Sequence, residues 1–245
     1  GVKVLMNTKS SYTLHTPVGC DMKELYPSET FWSPLLSALG IANTYAIDTI
    51  PSGEVVAVSG QYFRNLSKDD LRRLFAENLV MIDGEAVYTL HSMGMGELAG
   101  ILNIHLADAD GGRSAYEQVC DGKTYAGLPE ARISSQYGGG LWAEIDYGDK
   151  ASVKTRIKDP VGKSVAPGLT VWDGRVIILP YRHDVPLNDY HPARQEMLQA
   201  ILSELCGNNC PVYAIGVPYM HVFSFELAGR TALFIANSAA DEVED

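Results

Sequence analysis

Apolar positions near the amino terminus fall into short runs separated by polar, helix-patterned stretches. "VKVLM", "VVAV" and "LVMI" are almost continuously apolar, as strands buried on both faces of a parallel sheet must be. "NTYAID" reads as a further strand between the first two. Between these runs lie a long polar loop, Asn7 to about Ser28, and a helix over "SPLLSALGI" with Ser33 as its cap and Pro34 at its first position. "SKDDLRRLFAEN" opens with Ser67 and, three residues later, Asp70, a capping-box-like start to an amphipathic helix. After "LVMI" the chain turns at Asp83-Gly84-Glu85-Ala86 into another helix, "AVYTLHSMG". This βαβα rhythm predicts an open, mostly parallel, doubly wound α/β sheet of the flavodoxin-like kind.

Beyond Gly100 the periodicity changes to Gly- and Tyr-rich alternation, which predicts a β-rich segment inserted late in the sheet. "GRVIILPY" restores a buried strand, and "HPARQEMLQAILSELCG" is a helix with Leu198, Ile201, Leu202 and Leu205 on one face. The chain closes with two antiparallel strands joined at "LAGR", a short β appendage. Residues 1–210 are therefore expected to form the α/β domain, and 211–245 the start of a C-terminal β-domain or hairpin.

Composition sets limits on partners. The chain has 245 residues, 46% hydrophobic and 20% charged, with a net charge of −11. An acidic balance argues against nucleic acid or an anionic membrane surface as partner. No run of eighteen apolar residues exists, so no spanning helix is expected. Gly1 reads as a processing or cloning scar, and the chain as a piece excised from a longer polypeptide. Of the four cysteines, Cys206 and Cys210 bracket "CGNNC". The leading reading there is a helix end capped by Gly207, and the alternative is a local disulfide, which would require an oxidising compartment.

The candidate chemistry centres on the turn after the fourth strand. Hydrolases and amidotransferases set a Ser or Cys nucleophile at such a strand-to-helix elbow, and this one holds neither. Asp83 and Glu85 sit at the carboxyl end of a parallel strand, where open sheets place ligands, and could act as acid and base or as nucleophile and acid. The plainer reading makes Asp83 the helix cap and gives Glu85 a favourable place at the positive end of the helix dipole. His183, followed by Asp184, falls after a buried strand on the same edge and is the candidate partner base; His91, within the helix, reads as a packed or surface residue. His15 and His105 with Asp108 and Asp110 are of metal-ligating type, but their spacing does not fix them on one face, so neither metal nor cofactor is expected. "SSQYGGG" does not lie between a strand and a helix, which argues against a phosphate cradle. Tyr12, Tyr26, Phe31, Trp32, Tyr62 and Phe63 are expected to gather above the carboxyl edge. They would form a wall for carbohydrate, with Tyr12, Trp32 and Tyr62 touching ligand, or a surface against a neighbouring domain or subunit.

The order of "VVAVSGQYFRNLSKDDLRRLF", "LVMIDGEAVYTL" and "GRVIILPY…RQEMLQAIL" resembles the class I glutamine amidotransferase-like domain found in carbohydrate-active enzymes. Its nearest form is the trimerisation-type domain that follows the catalytic barrel in some β-galactosidases. "WDGRVIILPY" is similar to the last core strand of that domain, and "RTALFIANSAADE" to the first hairpin of the β-sandwich that often follows it. The resemblance covers roughly residues 1–110 and 170–245. It implies a non-catalytic accessory or assembly role beside a glycoside hydrolase, contact with carbohydrate or a neighbouring catalytic domain, self-association into a homo-oligomer, and a periplasmic or secreted setting. The family's Gly-x-Cys-x-Gly elbow is replaced here by Ile82-Asp83-Gly84-Glu85-Ala86, and its later His-x-Glu pair by His183-Asp184-Val185. Two other classes stay open: a self-sufficient glycosidase or amidase using Asp83, Glu85 and His183, and a small-molecule or sugar-binding module.

Overall fold

The computed structural model describes residues 1–13, 15, 29–98, 101–112, 115–134, 141–182, 191–216 and 219–237. In chain order the principal strands are β1 (Val2–Met6), β2 (Asn43–Ile47), β3 (Val55–Val58), β4 (Leu79–Asp83), β5 (Tyr116–Val119), β6 (Arg132–Ser134) and β7 (Ala151–Val153). They continue as β8 (Thr155–Lys158), β9 (Ser164–Pro167), β10 (Thr170–Trp172), β11 (Val176–Leu179), β12 (Met220–Leu227) and β13 (Arg230–Asn237). The helices are α1 (Ser10–Thr13), α2 (Trp32–Ala38), α3 (Lys68–Glu77), α4 (Gly84–Ser92) and α5 (Pro192–Leu205).

The chain is α/β, built on a mixed, mostly parallel seven-stranded sheet ordered β7-β10-β11-β4-β3-β1-β2. β2, β1, β3, β4 and β11 run parallel, and β10 and β7 add antiparallel to the far edge. The continuous apolar runs are explained by burial on both sides. Val55 and Ala57 pack with α2 and α5, whereas Val56 and Val58 pack with α3 and α4. Ile177 and Leu179 divide from Val176 and Ile178 in the same way. The connection from β2 to β3, residues 48–54, carries no helix.

Ser67 caps α3 as its sequence requires, accepting from the Asp70 amide at 3.1 Å and donating its hydroxyl to the Asp70 carboxylate at 2.7 Å. The expected cap on α2 is corrected. That helix begins at Trp32, one residue ahead of Ser33, whose hydroxyl instead donates to Asn43 Oδ1 at 2.8 Å. Burial of the adjacent Phe31 and Trp32, in edge contact with ring centroids 5.4 Å apart, draws the first turn into the core. At the end of α5, Gly207 takes the left-handed conformation that closes the helix, and Cys206 and Cys210 are joined in a disulfide. The two readings of "CGNNC" therefore coexist in one turn.

The inserted segment forms a four-stranded antiparallel sheet ordered β6-β5-β8-β9. It is seated by a buried ion pair between Glu117 on β5 and Arg194 on α5, both side chains 2% exposed. Tyr181 donates its hydroxyl to Glu117 Oε2 at 2.9 Å, and Thr155 donates its own to Oε1. Gly168 passes so close that a β-carbon there would lie 2.3 Å from Thr155 Oγ1. The amide of Leu169 then donates to that oxygen at 2.6 Å. Burial alone would raise the Glu117 pKa, but the charge and hydrogen bonds of Arg194, with Thr155 and Tyr181, hold it below the ordinary carboxylate value.

β12 and β13 form a two-stranded hairpin that adjoins α2 and β2. Tyr219 ties its base by donating its amide to Ala38 O at 3.1 Å. Only Val222 on this ribbon is a buried hydrophobic; Phe223, Phe225, Leu227, Leu233, Phe234 and Ile235 are all exposed.

Removing Arg194 alone strands a carboxylate in the core, so Arg194→Met is expected to cost about 3–5 kcal/mol by urea denaturation. A Glu117→Gln/Arg194→Met double variant should recover most of it. Because the folded pKa of Glu117 is depressed, its contribution is complete above the unfolded value and lost as pH falls through the folded one. The double variant should accordingly show a flatter acid limb. Serine at both Cys206 and Cys210 should lower stability by about 2 kcal/mol in the chain-entropy account, given the short loop closed.

Candidate functional site

The carboxyl ends of β1, β3, β4 and β11 share one edge of the sheet, and β4 enters α4 there without an intervening loop. Asp83 is both the last residue of β4 and the N-cap of α4, its Oδ1 accepting from the Ala86 amide at 2.7 Å. The carboxyl is 2% exposed. Burial pushes its pKa well above the ordinary range; the Ala86 amide lowers it, neighbouring Glu85 raises it, and the Gly60 amide and Arg182 lower it by less.

Gly84 occupies the centre of the elbow, and the structure gives a steric reason for glycine. A β-carbon at this position would lie 2.2 Å from the Pro180 carbonyl oxygen and 2.9 Å from that of Tyr181. The backbone after β11 fills the space in which a nucleophile's side chain would stand. Glu85 is drawn sideways into a close ion pair: Arg182 donates to its Oε2 through Nε at 2.8 Å and through Nη2 at 2.7 Å. The same guanidinium lies 4.4 Å from the ring centroid of Tyr88 and donates through Nη1 to Ala109 O. Glu85 keeps its expected place in the first turn of α4 and is held there by Arg182, two of whose nitrogens reach one carboxylate oxygen; Arg182 carries no local signal in the sequence.

The sheet order changes direction at β1 and β3, where open α/β sheets hold ligands. The segments after these strands are instead stitched together. His15 donates its amide to Gln61 Oε1 at 2.9 Å, and Gln61 Nε2 donates back to His15 O at 3.1 Å. Thr13 donates its hydroxyl to Asn65 Oδ1 at 2.8 Å, while Asn65 Nδ2 donates to Ser10 Oγ at 3.0 Å. Ser10 in turn donates to Glu29, a buried carboxylate that also accepts from the Asn7 amide at 2.9 Å. Burial raises the Glu29 pKa, partly offset by these two donors. Nothing in the local pattern "SETF" marked Glu29, since its role depends on partners from two other segments.

The expected aromatic wall is corrected too. Phe31, Trp32, Tyr62 and Phe63 are buried in the core, and Trp32 donates its indole N–H to Val58 O at 3.1 Å. Of the five expected ligand contacts, Trp32, Tyr62, Asp83 and Glu85 are buried and Tyr12 faces solvent, at 90% exposure. Trp32 lies in the core cluster shared by α2 and α5, and Tyr62 in the one shared by α3 and α4. Tyr26, His183, Asp184 and the glycine-rich "SSQYGGG" lie outside the described residues, except Ser134 at its start, in β6.

His91 is exposed in the last turn of α4. His105 pairs with Glu97 at 3.3 Å, Asp108 and Asp110 accept from nearby backbone amides, and His15 lies by Gln61, so the structure does not bring this set together. Among the described residues no cluster of three or more His, Cys, Asp or Glu is arranged to hold a metal.

No family model and no curated protein matches the sequence. Among solved structures, the chain is similar to a catalytic mutant of Gan42B, a GH42 β-galactosidase from G. stearothermophilus, with a TM-score of 0.53 and 12% sequence identity. The match covers 96% of this chain and 34% of that one, so the chain spans about a third of the enzyme's length. At this identity the likeness is one of fold.

Because the folded pKa of Asp83 is raised, its contribution to stability is complete below the unfolded value and is lost as pH rises through the folded one. Asp83→Asn keeps an acceptor for Ala86 and removes the ionisation. Its melting temperature relative to the native chain should therefore climb steadily as pH increases. Asp83→Ala, which removes the cap, should instead cost about 1 kcal/mol or more at acid pH.

Proposed function

We propose that this chain is a non-catalytic, amidotransferase-like accessory or assembly domain of a glycoside hydrolase-like protein. The observation that carries this reading is the occupied elbow. Gly84 has no room for a side chain, Asp83 is committed to capping α4, and Glu85 is held by Arg182. Paired carboxylates that hydrolyse a glycosidic bond must straddle it with their oxygens free, and these two are turned into the protein.

Several features support the setting. The parallel strand order 2-1-3-4-11, with helices packed on both faces, supports a flavodoxin-like reading of the sheet. The fold likeness to part of a GH42 β-galactosidase fits a domain working beside a catalytic unit. In this reading residues 1–210 form the α/β domain, 211–245 form the start of a C-terminal β-domain or a β-hairpin appendage, and the partner is carbohydrate, a neighbouring catalytic domain or further copies of the chain. The Cys206–Cys210 disulfide fits an oxidising, extracytoplasmic compartment.

The purified chain should turn over neither chromogenic galactosides nor glutamine. Turnover that disappears in Asp83→Asn or Glu85→Gln would overturn the reading in favour of a self-sufficient hydrolase. Gly84→Cys should create no activity and should destabilise the chain by about 1–3 kcal/mol, because the added atoms displace the Pro180–Tyr181 backbone.

A further inference from the structure

The outer face of the β6-β5-β8-β9 sheet carries charge of the opposite sign to the chain as a whole. On β8, Thr155 and Ile157 are buried, so alternation turns Arg156 and Lys158 outward. On β5, Glu117 and Val119 are buried and Tyr116 and Gln118 face out; on β6, buried Ile133 leaves Arg132 outward. Strand register gathers these residues. Arg132 stands opposite Gln118, and Gln118 opposite Arg156; Tyr116 stands opposite Lys158, and Lys158 opposite Ser164.

Arg132, Arg156 and Lys158 thus share one face with a phenol, an amide and a hydroxyl. The Arg132 guanidinium lies 3.6 Å from the Tyr116 ring centroid, and Lys158 Nζ donates to Ser164 Oγ at 2.8 Å. Among the described residues none of the three cations forms an ion pair, although acidic residues outnumber basic ones by 30 to 19. The nearby carboxylate of Asp159 is engaged in its turn, accepting from the amides of Val161 at 3.0 Å and Lys163 at 2.8 Å. Glu130 lies two residues before Arg132, and its backbone carbonyl accepts from Gln118 at 3.4 Å.

Strands pack roughly 5 Å apart and residues i and i+2 are about 7 Å apart along a strand. The cations therefore form a sparse triangle on the sheet face, interleaved with groups that bond to neutral hydroxyls. A nucleic acid, with one charge per roughly 1.7 Å of duplex axis, demands denser compensation than three cations at this spacing supply. We propose that this face docks a uronate-bearing polysaccharide. Its carboxylates would lie against Arg132, Arg156 and Lys158, and its sugar hydroxyls against Gln118 and Ser164. The choice of a glycan rests on the carbohydrate-linked function proposed above; the charge pattern does not.

Native affinity electrophoresis of the whole chain tests this, with polygalacturonate, neutral galactan or polyglutamate cast in the gel. Polygalacturonate should retard the chain and the other two should not. Retardation should weaken about tenfold in Arg156→Gln/Lys158→Gln, the scale of one charge-assisted hydrogen bond, at an unchanged melting temperature. No retardation by polygalacturonate, equal retardation by galactan, or full retardation of the double variant would overturn the proposal. Polyglutamate retarding as strongly would also overturn it, by assigning the face to an acidic polypeptide. Glycosidase turnover by the chain bears on the accessory role alone and leaves this face as argued.

Discussion

The buried pairing of Glu117 with Arg194 is the constraint on which the architecture turns. Two opposite charges taken out of water are tolerable only when each remaining lone pair and proton finds a partner. Here Thr155 and Tyr181 complete the set. Those partners come from the inserted sheet, from α5 and from the chain just beyond β11. One electrostatic requirement therefore fixes where three separate segments meet. It also sets the local backbone, since Tyr181, held through its hydroxyl, belongs to the segment whose carbonyls crowd Gly84. The seat of the insertion and the blockage of the elbow are physically linked.

Two buried carboxylates show how neighbours decide the outcome of the same desolvation. Glu117 faces a guanidinium and stays charged below its usual range, whereas Asp83 has mainly backbone amides and is pushed far above it. The first binds distant elements together through charge. The second serves a local geometric purpose, capping a helix, for which a neutral oxygen suffices.

Much of the α/β frame was legible because it rests on short-range chemistry. Val55 to Val58 and Leu79 to Ile82 read as short strands buried on both faces, and Ser67 with Asp70 marks a helix start from four residues alone. Asp83 as cap was legible for the same reason. The misreadings share another cause. A loop aromatic looks identical in sequence whether it faces solvent or core, and Trp32 and Tyr62 went inward because β3, α2 and α3 offered apolar surface there. Glu117 and Arg194 lie 77 residues apart, and Glu85 and Arg182 lie 97 apart, so no local pattern could join them. The outward cations of β8 were hidden similarly, because their alternation gains meaning only once β5 and β6 are aligned beside it.

The β12–β13 ribbon has a colloidal consequence. It exposes large apolar side chains along two strands of eight residues, with no third strand hydrogen-bonded to either among the described residues. The force that opposes contact between such ribbons is the long-range repulsion of a chain with a net charge of −11, and that repulsion reaches only about 10 Å at 0.1 M salt. Added salt is therefore expected to shift the balance from mutual avoidance toward adhesion, read as a falling second virial coefficient.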